Sequence, residues 1–139
     1  MIGHYLTMIL ISMASGLMSG MWVWVDSPSD IRISLNDMYM TGLMTALMIF
    51  FMAVLDKHYV WITGSALVAF VIFWLIRTQT LISKKQYFQG MIPHHSMAVL
   101  MSKRLLENDT GLTNEQKQFV NNIIQTQAQE IKWMQQQQQ

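Results

Sequence analysis

The stretch from Met38 to Leu55, MYMTGLMTALMIFFMAVL, contains no charged side chain and decides how the chain folds. Asp56 and Lys57 separate it from a second uncharged run, His58–Ile76, and a third, Met1–Val25, precedes it. A helix needs roughly 20 apolar residues to cross the hydrocarbon core of a bilayer, with a range of about 17–25. Because a helix of a soluble protein normally turns one face to water, the three runs predict three transmembrane helices.

The composition favours a membrane protein and excludes several classes of function. Of the 139 residues, 52% are hydrophobic and 12% are charged, whereas an average soluble domain has about 25% charged residues. The net charge is +1 and no long run of Lys and Arg occurs, so we expect membrane lipid and no nucleic acid as a partner. The absence of cysteine excludes disulfides and thiolate chemistry. No nucleophile–base pair or carboxylate pair indicates an enzyme.

The charge pattern divides the chain into three parts. Residues 1–78 are predicted to form the transmembrane region. Its spans lie at about 5–25, 38–55 and 59–77. After Arg77 charged residues return and apolar residues become periodic, so residues 79–134 are predicted to form a helical hairpin. The glutamines at 135–139 form a low-complexity tail, to which we assign no function.

Turn and cap signals delimit the hairpin. Its first helix is predicted over Leu81–Leu106, and Asn108–Gly111 forms the turn that follows. Thr113 and Gln116 have the spacing of a capping box, so the second helix begins there. Residues at helical spacing give this helix one apolar face, formed by Val120, Ile124, Ile131 and Met134.

A dense set of soft metal ligands lies in the first hairpin helix, in the segment Met91-Ile-Pro-His-His-Ser-Met-Ala-Val-Leu-Met101. At about 100° per residue, His94, Met97 and Met101 share one face, and Met91 and His95 flank it. Imidazole and thioether together suit copper, and thioether particularly suits Cu(I). The alternative is that the histidines are ordinary interfacial residues and the methionines fill the core.

Two further sets of residues are candidates for a role in metal handling. On the second hairpin helix, Gln127, Glu130 and Met134 lie on one narrow face, where Glu130 could orient an imidazole by a hydrogen bond or remain a solvated carboxylate. In the second span, methionines recur every four residues, at Met40, Met44, Met48 and Met52. This stripe could relay Cu(I), but flexible packing between spans is the favoured interpretation, since no acidic residue or histidine accompanies it.

The sequence gives conflicting signals about orientation in the membrane. The positive-inside rule places the hairpin in the cytoplasm, because more basic residues follow the first and third spans than the second. The thiol-free ligand set instead favours an oxidising compartment outside the cytoplasm.

The segment at Met91–Ala98 resembles the family catalogued as domain of unknown function 305, which has a Met-hydrophobic-Pro-His-His-x-x-Ala signature. The matching residues are Met91, Pro93, His94, His95, Ala98 and Met101. The family's second helix has a Gln-x-x-Glu-Ile-x-x-Met pattern, matched here at Gln127, Glu130, Ile131 and Met134. The three preceding spans resemble a membrane-anchored branch. The resemblance implies a ferritin-like four-helix bundle, copper binding, and a hairpin outside the cytoplasm.

These observations predict an all-α protein with three transmembrane helices and one helical hairpin. Because two amphipathic helices bury too little area to be stable alone, we expect two chains to complete a four-helix bundle as a homodimer or higher homo-oligomer. The expected function is copper storage, buffering or delivery at a bacterial-type cell membrane. The alternative is a structural subunit that binds no metal and mediates assembly of a larger membrane complex.

Overall fold

The computed structural model describes residues 2–138, which contain five α-helices and no strand. This confirms the all-α prediction. The helices are α1 (Ile2–Met18), α2 (Leu35–Leu55), α3 (Tyr59–Thr78), α4 (Lys84–Asn108) and α5 (Asn114–Gln136). Two short 3-10 turns, Met21–Trp24 and Pro28–Asp30, lie between α1 and α2. The chain forms two compact units, one from the residues up to Gly20 with Leu35–Ile82 and the other from Met21–Ser34 with the residues from Ser83 onward.

The first unit contains three segments that are long and apolar enough to cross a membrane: Gly3–Trp24, whose last residues extend into the second unit, Leu35–Leu55 and Tyr59–Thr78. Helix α2 packs against both α1 and α3. Gly16 permits close approach of α1 to α2, because a Cβ atom there would lie 2.9 Å from the Thr41 side chain. At one end of the unit the buried Tyr5 donates a hydrogen bond of 2.9 Å to Asp56 and stacks on Trp61.

The first apolar segment, Gly3–Trp24, corresponds to the span predicted at about 5–25, but it is not one regular α-helix. Regular α-helix ends at Met18, and a 3-10 turn follows at Met21–Trp24. The Ser19 hydroxyl donates a 2.9 Å hydrogen bond to the Ser15 carbonyl at this helix end. Residues 21–34 belong to the second unit, whereas the transmembrane region was predicted over residues 1–78. The reason is packing, because the 3-10 turn at Met21–Trp24 contacts α4.

The second unit is built on the α4–α5 hairpin. Helix α4 begins at Lys84, three residues later than predicted, because the Ser83 hydroxyl caps it by accepting the Gln86 N–H. Just before this cap Gln79 and Leu81 have positive φ angles, which interrupt the helix. The two helices bury one apolar core, formed by Phe88, Ile92, Val99, Ile131 and Met134.

The predicted capping box is present at the start of α5. The Thr113 hydroxyl accepts the Gln116 N–H at 3.2 Å, and the Gln116 side chain accepts the Thr113 N–H at 2.8 Å. Each bond satisfies a backbone donor that has no partner within the helix.

Replacing Thr113 with alanine should therefore destabilise the first turn of α5 by about 1 kcal/mol. Hydrogen exchange of the amides at 114–117 in the full chain measures the effect. Thr110→Ala, at an exposed position in the preceding turn, is the matched control and should leave exchange unchanged. Equal exchange in the two variants would contradict a stabilising cap.

Candidate metal centre

Helix α4 places the two adjacent histidines in different surroundings. His95 is largely buried and contacts α5, whereas His94 is exposed. Their ring centroids lie 5.9 Å apart, with the rings inclined by 64°. The difference follows from helical geometry, since adjacent residues are rotated by about 100°. The His95 ring therefore faces α5, and the His94 ring is exposed.

Both ring nitrogens of His95 lie close to an oxygen atom. Nδ1 lies 2.8 Å from the Met91 carbonyl oxygen, and Nε2 lies 2.9 Å from Oε2 of Glu130. A carbonyl oxygen only accepts, so Nδ1 carries the proton. Metal binding at Nε2 would require displacement of the Glu130 carboxylate, whose side chain is half-exposed.

The contacts of the His95 ring distinguish the roles of Glu130 and Met91, which their spacing in the sequence did not. Glu130 lies on the ring nitrogen that would bind a metal, and the Met91 carbonyl holds the opposite nitrogen. The carbonyl therefore orients the ring, a role for which Glu130 was the candidate predicted from the sequence. Gln127 lies one turn before Glu130 on α5 and is half-buried.

The three thioethers occupy different environments. Met91 packs against the hairpin core, Met97 is half-buried, and Met101 is 58% exposed. At a rise of about 1.5 Å per residue, the Cα atoms of His94 and Met101 are about 10 Å apart along α4. One metal ion can therefore be reached by a histidine and the methionine one turn away, but not by the whole set on a single straight helix.

Within residues 2–138, no three His, Asp or Glu side chains come together as a metal-binding group. A copper ion held by one chain would thus depend on imidazole and thioether donors from α4. These donors fit the soft character of Cu(I). They do not fit a hard cation, which requires several oxygen ligands.

A buried polar cluster lies beside the histidines, and no motif in the sequence predicts it. The Asp30 carboxylate is 5% exposed and accepts hydrogen bonds from the Ser96 hydroxyl at 2.7 Å and the Gln135 amide at 2.8 Å. The Ser96 hydroxyl in turn accepts the Asp26 N–H at 2.8 Å. Asp30 thereby joins α4, α5 and the residue 21–34 segment, and it holds α4 at the residue that follows His95.

The methionine stripe of α2 is partly exposed. Met40, Met44 and Met48 are each roughly half-exposed. The cavity between the helices has a volume of about 440 Å³ and is lined almost entirely by apolar atoms. The hydroxyls of Thr45 and Ser65, which also line it, donate to carbonyls of their own helices.

Comparison with known proteins identifies the family. The family described as Domain of unknown function (DUF305) matches residues 77–138, which include both histidines and the full α4–α5 hairpin. Over 134 residues the chain is 40% identical to "Uncharacterized protein L153" of Acanthamoeba polyphaga mimivirus, covering 93% of this chain and 87% of that protein. The chain belongs to the DUF305 family. No solved structure matches it.

The two comparisons cover different lengths of this DUF305 protein. The family match begins at the end of α3, whereas the similarity to the mimivirus protein covers nearly the whole chain. The similarity to the viral protein therefore extends beyond the hairpin into residues of the three apolar helices of this chain.

Proposed function

We propose that this DUF305 protein is a multi-pass membrane protein whose α4–α5 hairpin binds copper for storage, buffering or delivery. One observation carries the proposal. Adjacent histidines lie on α4 with methionines one turn away on both sides, in a chain that has no cysteine. His94 is exposed to an incoming ion, with Met91 and Met97 as neighbouring thioether donors. The three long apolar helices support membrane insertion.

The role of His95 follows from its contacts on α4 and α5. If Glu130 rotated away, the hydrogen bond between Nδ1 and the Met91 carbonyl would still hold the ring and leave Nε2 open to a metal ion. His95 is then a second imidazole donor beside His94. We place the hairpin outside the cytoplasm, where copper is handled without competition from intracellular thiols and where a cysteine-free site avoids disulfide formation.

A structural role is the second candidate, and the surroundings of His95 favour it. The ion pair with Glu130 links α4 to α5, and the Met91 side chain packs in the core. His95 and Met91 would then stabilise a hairpin that assembles with other membrane proteins. This role leaves the exposed His94 and Met101 unexplained.

Copper content of the purified full chain distinguishes the two functions. After Cu(I) loading in detergent and removal of free metal, we expect His94→Ala/His95→Ala to retain at least about 10-fold less copper than wild type, since both imidazole donors are removed. The matched control is His4→Ala/His58→Ala, which removes the other two histidines of the chain and should retain wild-type copper.

Hydrogen exchange of α4 and α5 confirms that each variant is folded. Near-zero copper in wild type would refute copper binding. Equal copper in wild type and the His94→Ala/His95→Ala variant would refute this site.

A further inference from the structure

The residue 21–34 segment concentrates exposed apolar side chains. Val23 is 52% exposed, Trp24 56%, Ile31 44% and Ile33 50%. The much longer helices α4 and α5, which the structure describes in full, expose five large apolar side chains between them, at Tyr87, Met101, Leu105, Phe119 and Trp133. Four such side chains within fourteen residues form a patch, and a patch of this kind indicates contact with an apolar environment.

The local backbone turns these side chains outward. In the 3-10 turn Met21–Trp24, which contacts α4, the first two residues are half-buried and the last two are exposed. The chain is extended at Ile31, and Ile31 and Ile33 are exposed on either side of the half-buried Arg32. The Arg32 guanidinium donates to the Ser29 and Ile31 carbonyls, at 2.7 and 2.8 Å. The cation is therefore satisfied within the segment, beside the exposed isoleucines.

The two carboxylates of the segment bind the hairpin. Asp30 is buried and accepts hydrogen bonds from Ser96 on α4 and Gln135 on α5. Asp26 accepts a hydrogen bond of 2.7 Å from the Lys103 ammonium. Both carboxylates thus have partners, as a charged group requires next to an apolar environment. The segment joins the hairpin through these polar groups and leaves its apolar side chains uncovered.

The length of α1 indicates the depth at which the segment begins. Helix α1 has 17 residues, which extend about 25 Å at a rise of 1.5 Å per residue. The hydrocarbon core of a bilayer is about 30 Å thick. The apolar residues that follow α1, up to Trp24, are therefore needed to complete the first crossing. Trp24 then lies where hydrocarbon meets headgroups, the level that tryptophan favours.

We propose that the residue 21–34 segment lies in the boundary between lipid headgroups and acyl chains, with its four exposed apolar side chains in lipid. The inference rests on the membrane insertion proposed above. Lipid is the occupant because the chain enters the segment directly from α1 and leaves it directly into α2, so the segment meets lipid before any other partner.

The order of the spans agrees with this placement. Consecutive spans are joined on one side of a membrane, so the segment between α1 and α2 lies on the side where α3 ends and the hairpin begins. The hydrogen bonds of Asp30 to α4 and α5 require that common side. Because Ser96 follows His95, the segment also holds the histidine-bearing turns of α4 at the membrane surface.

Fluorescence quenching by lipid tests the placement, since the natural chain has no cysteine and each variant carries one label. The fluorophore NBD is attached to Val23→Cys or Ile33→Cys in the segment, to Phe51→Cys in α2, or to Gln125→Cys on the exposed part of α5. The full chains are placed in phosphatidylcholine nanodiscs with or without acyl-brominated lipid. A group in the boundary lies about 5–10 Å deep, so we expect quenching at Val23→Cys and Ile33→Cys at least about 3-fold greater than at Gln125→Cys.

The label in α2 separates failure of this inference from failure of membrane insertion. If Phe51→Cys is quenched but both segment labels are quenched no more than Gln125→Cys, the segment is not in lipid and the inference is overturned. If Phe51→Cys is not quenched either, membrane insertion itself is refuted, and the inference falls with it.

A second comparison tests whether the exposed apolar side chains cause the insertion. Trp24→Ser/Ile31→Ser removes two of them, and we expect quenching at Ile33→Cys to fall at least about 3-fold, because less apolar area enters lipid. The matched control, Tyr87→Ser/Phe119→Ser, removes two exposed aromatic side chains from the hairpin and should leave quenching unchanged. Unchanged hydrogen exchange in α4 and α5 shows that both variants are folded. Equal quenching in the two variants would overturn the role of these side chains.

Discussion

Replacing Ile92 with alanine is expected to destabilise the α4–α5 hairpin by about 2–5 kcal/mol, because the change leaves a cavity in a packed core. The Ile92 side chain is fully buried among Phe88, Val99, Ile131 and Met134. A domain of this size is stable by only about 0.05–0.15 kcal/mol per residue, so the loss approaches the whole stability of the hairpin. Slowly exchanging amides of α4 and α5 should exchange at least about 30-fold faster.

The matched control deletes a larger apolar side chain from an exposed position. Phe119 lies on α5 and is 66% exposed, so Phe119→Ala should change hydrogen exchange little. If Phe119→Ala and Ile92→Ala had equal effects, or if Ile92→Ala had none, the core described above would be wrong.

Replacing Asp30 with alanine should destabilise the same hairpin by about 2–3 kcal/mol. The substitution removes two hydrogen bonds to a buried carboxylate, from Ser96 and Gln135, and such bonds contribute about 1.5–3 kcal/mol each. The free-energy cost of burying the Asp30 carboxylate also disappears, and this offsets part of the lost stability. Because Asp30 joins the residue 21–34 segment to both helices, we expect faster exchange in α4 around Ser96 and near the end of α5.

Two further variants show whether the hydrogen bonds cause the effect. Asp30→Asn keeps the shape, and its amide can accept from Gln135 and donate to Ser96, so we expect a smaller loss, below about 1.5 kcal/mol. Glu107→Ala removes an exposed carboxylate that pairs with Arg104, and such a pair contributes less than about 1 kcal/mol. If Asp30→Ala destabilised the hairpin no more than Glu107→Ala does, the hydrogen bonds from Ser96 and Gln135 to Asp30 would not stabilise it.

These contacts connect the stability of the hairpin to its proposed chemistry. Ser96 follows His95 directly, and the Met91 carbonyl that orients His95 belongs to the same turns of α4. Loss of the hydrogen bonds from Ser96 and Gln135 to Asp30 would loosen the segment of α4 that contains both histidines. The residue 21–34 segment is therefore part of the histidine-bearing unit, although it lies more than sixty residues earlier in the chain.

Local patterns predicted the parts of the fold that depend on neighbouring residues. The uncharged runs identified the apolar helices, because membrane crossing depends on length and polarity within one segment. Thr113 and Gln116 located the start of α5, because a capping box is formed by residues three apart. The Met-x-Pro-His-His segment was sufficient to suggest the DUF305 family.

The sequence by itself determined the helical class, the three apolar helices and the family, since each is encoded within short stretches. Only the tertiary structure decided that His95 is held between the Met91 carbonyl and Glu130 while His94 remains exposed. It alone joined Asp30 to Ser96 and Gln135, residues 66 and 105 positions away. Such contacts depend on which helix faces pack together, and helical periodicity within one segment does not contain that information.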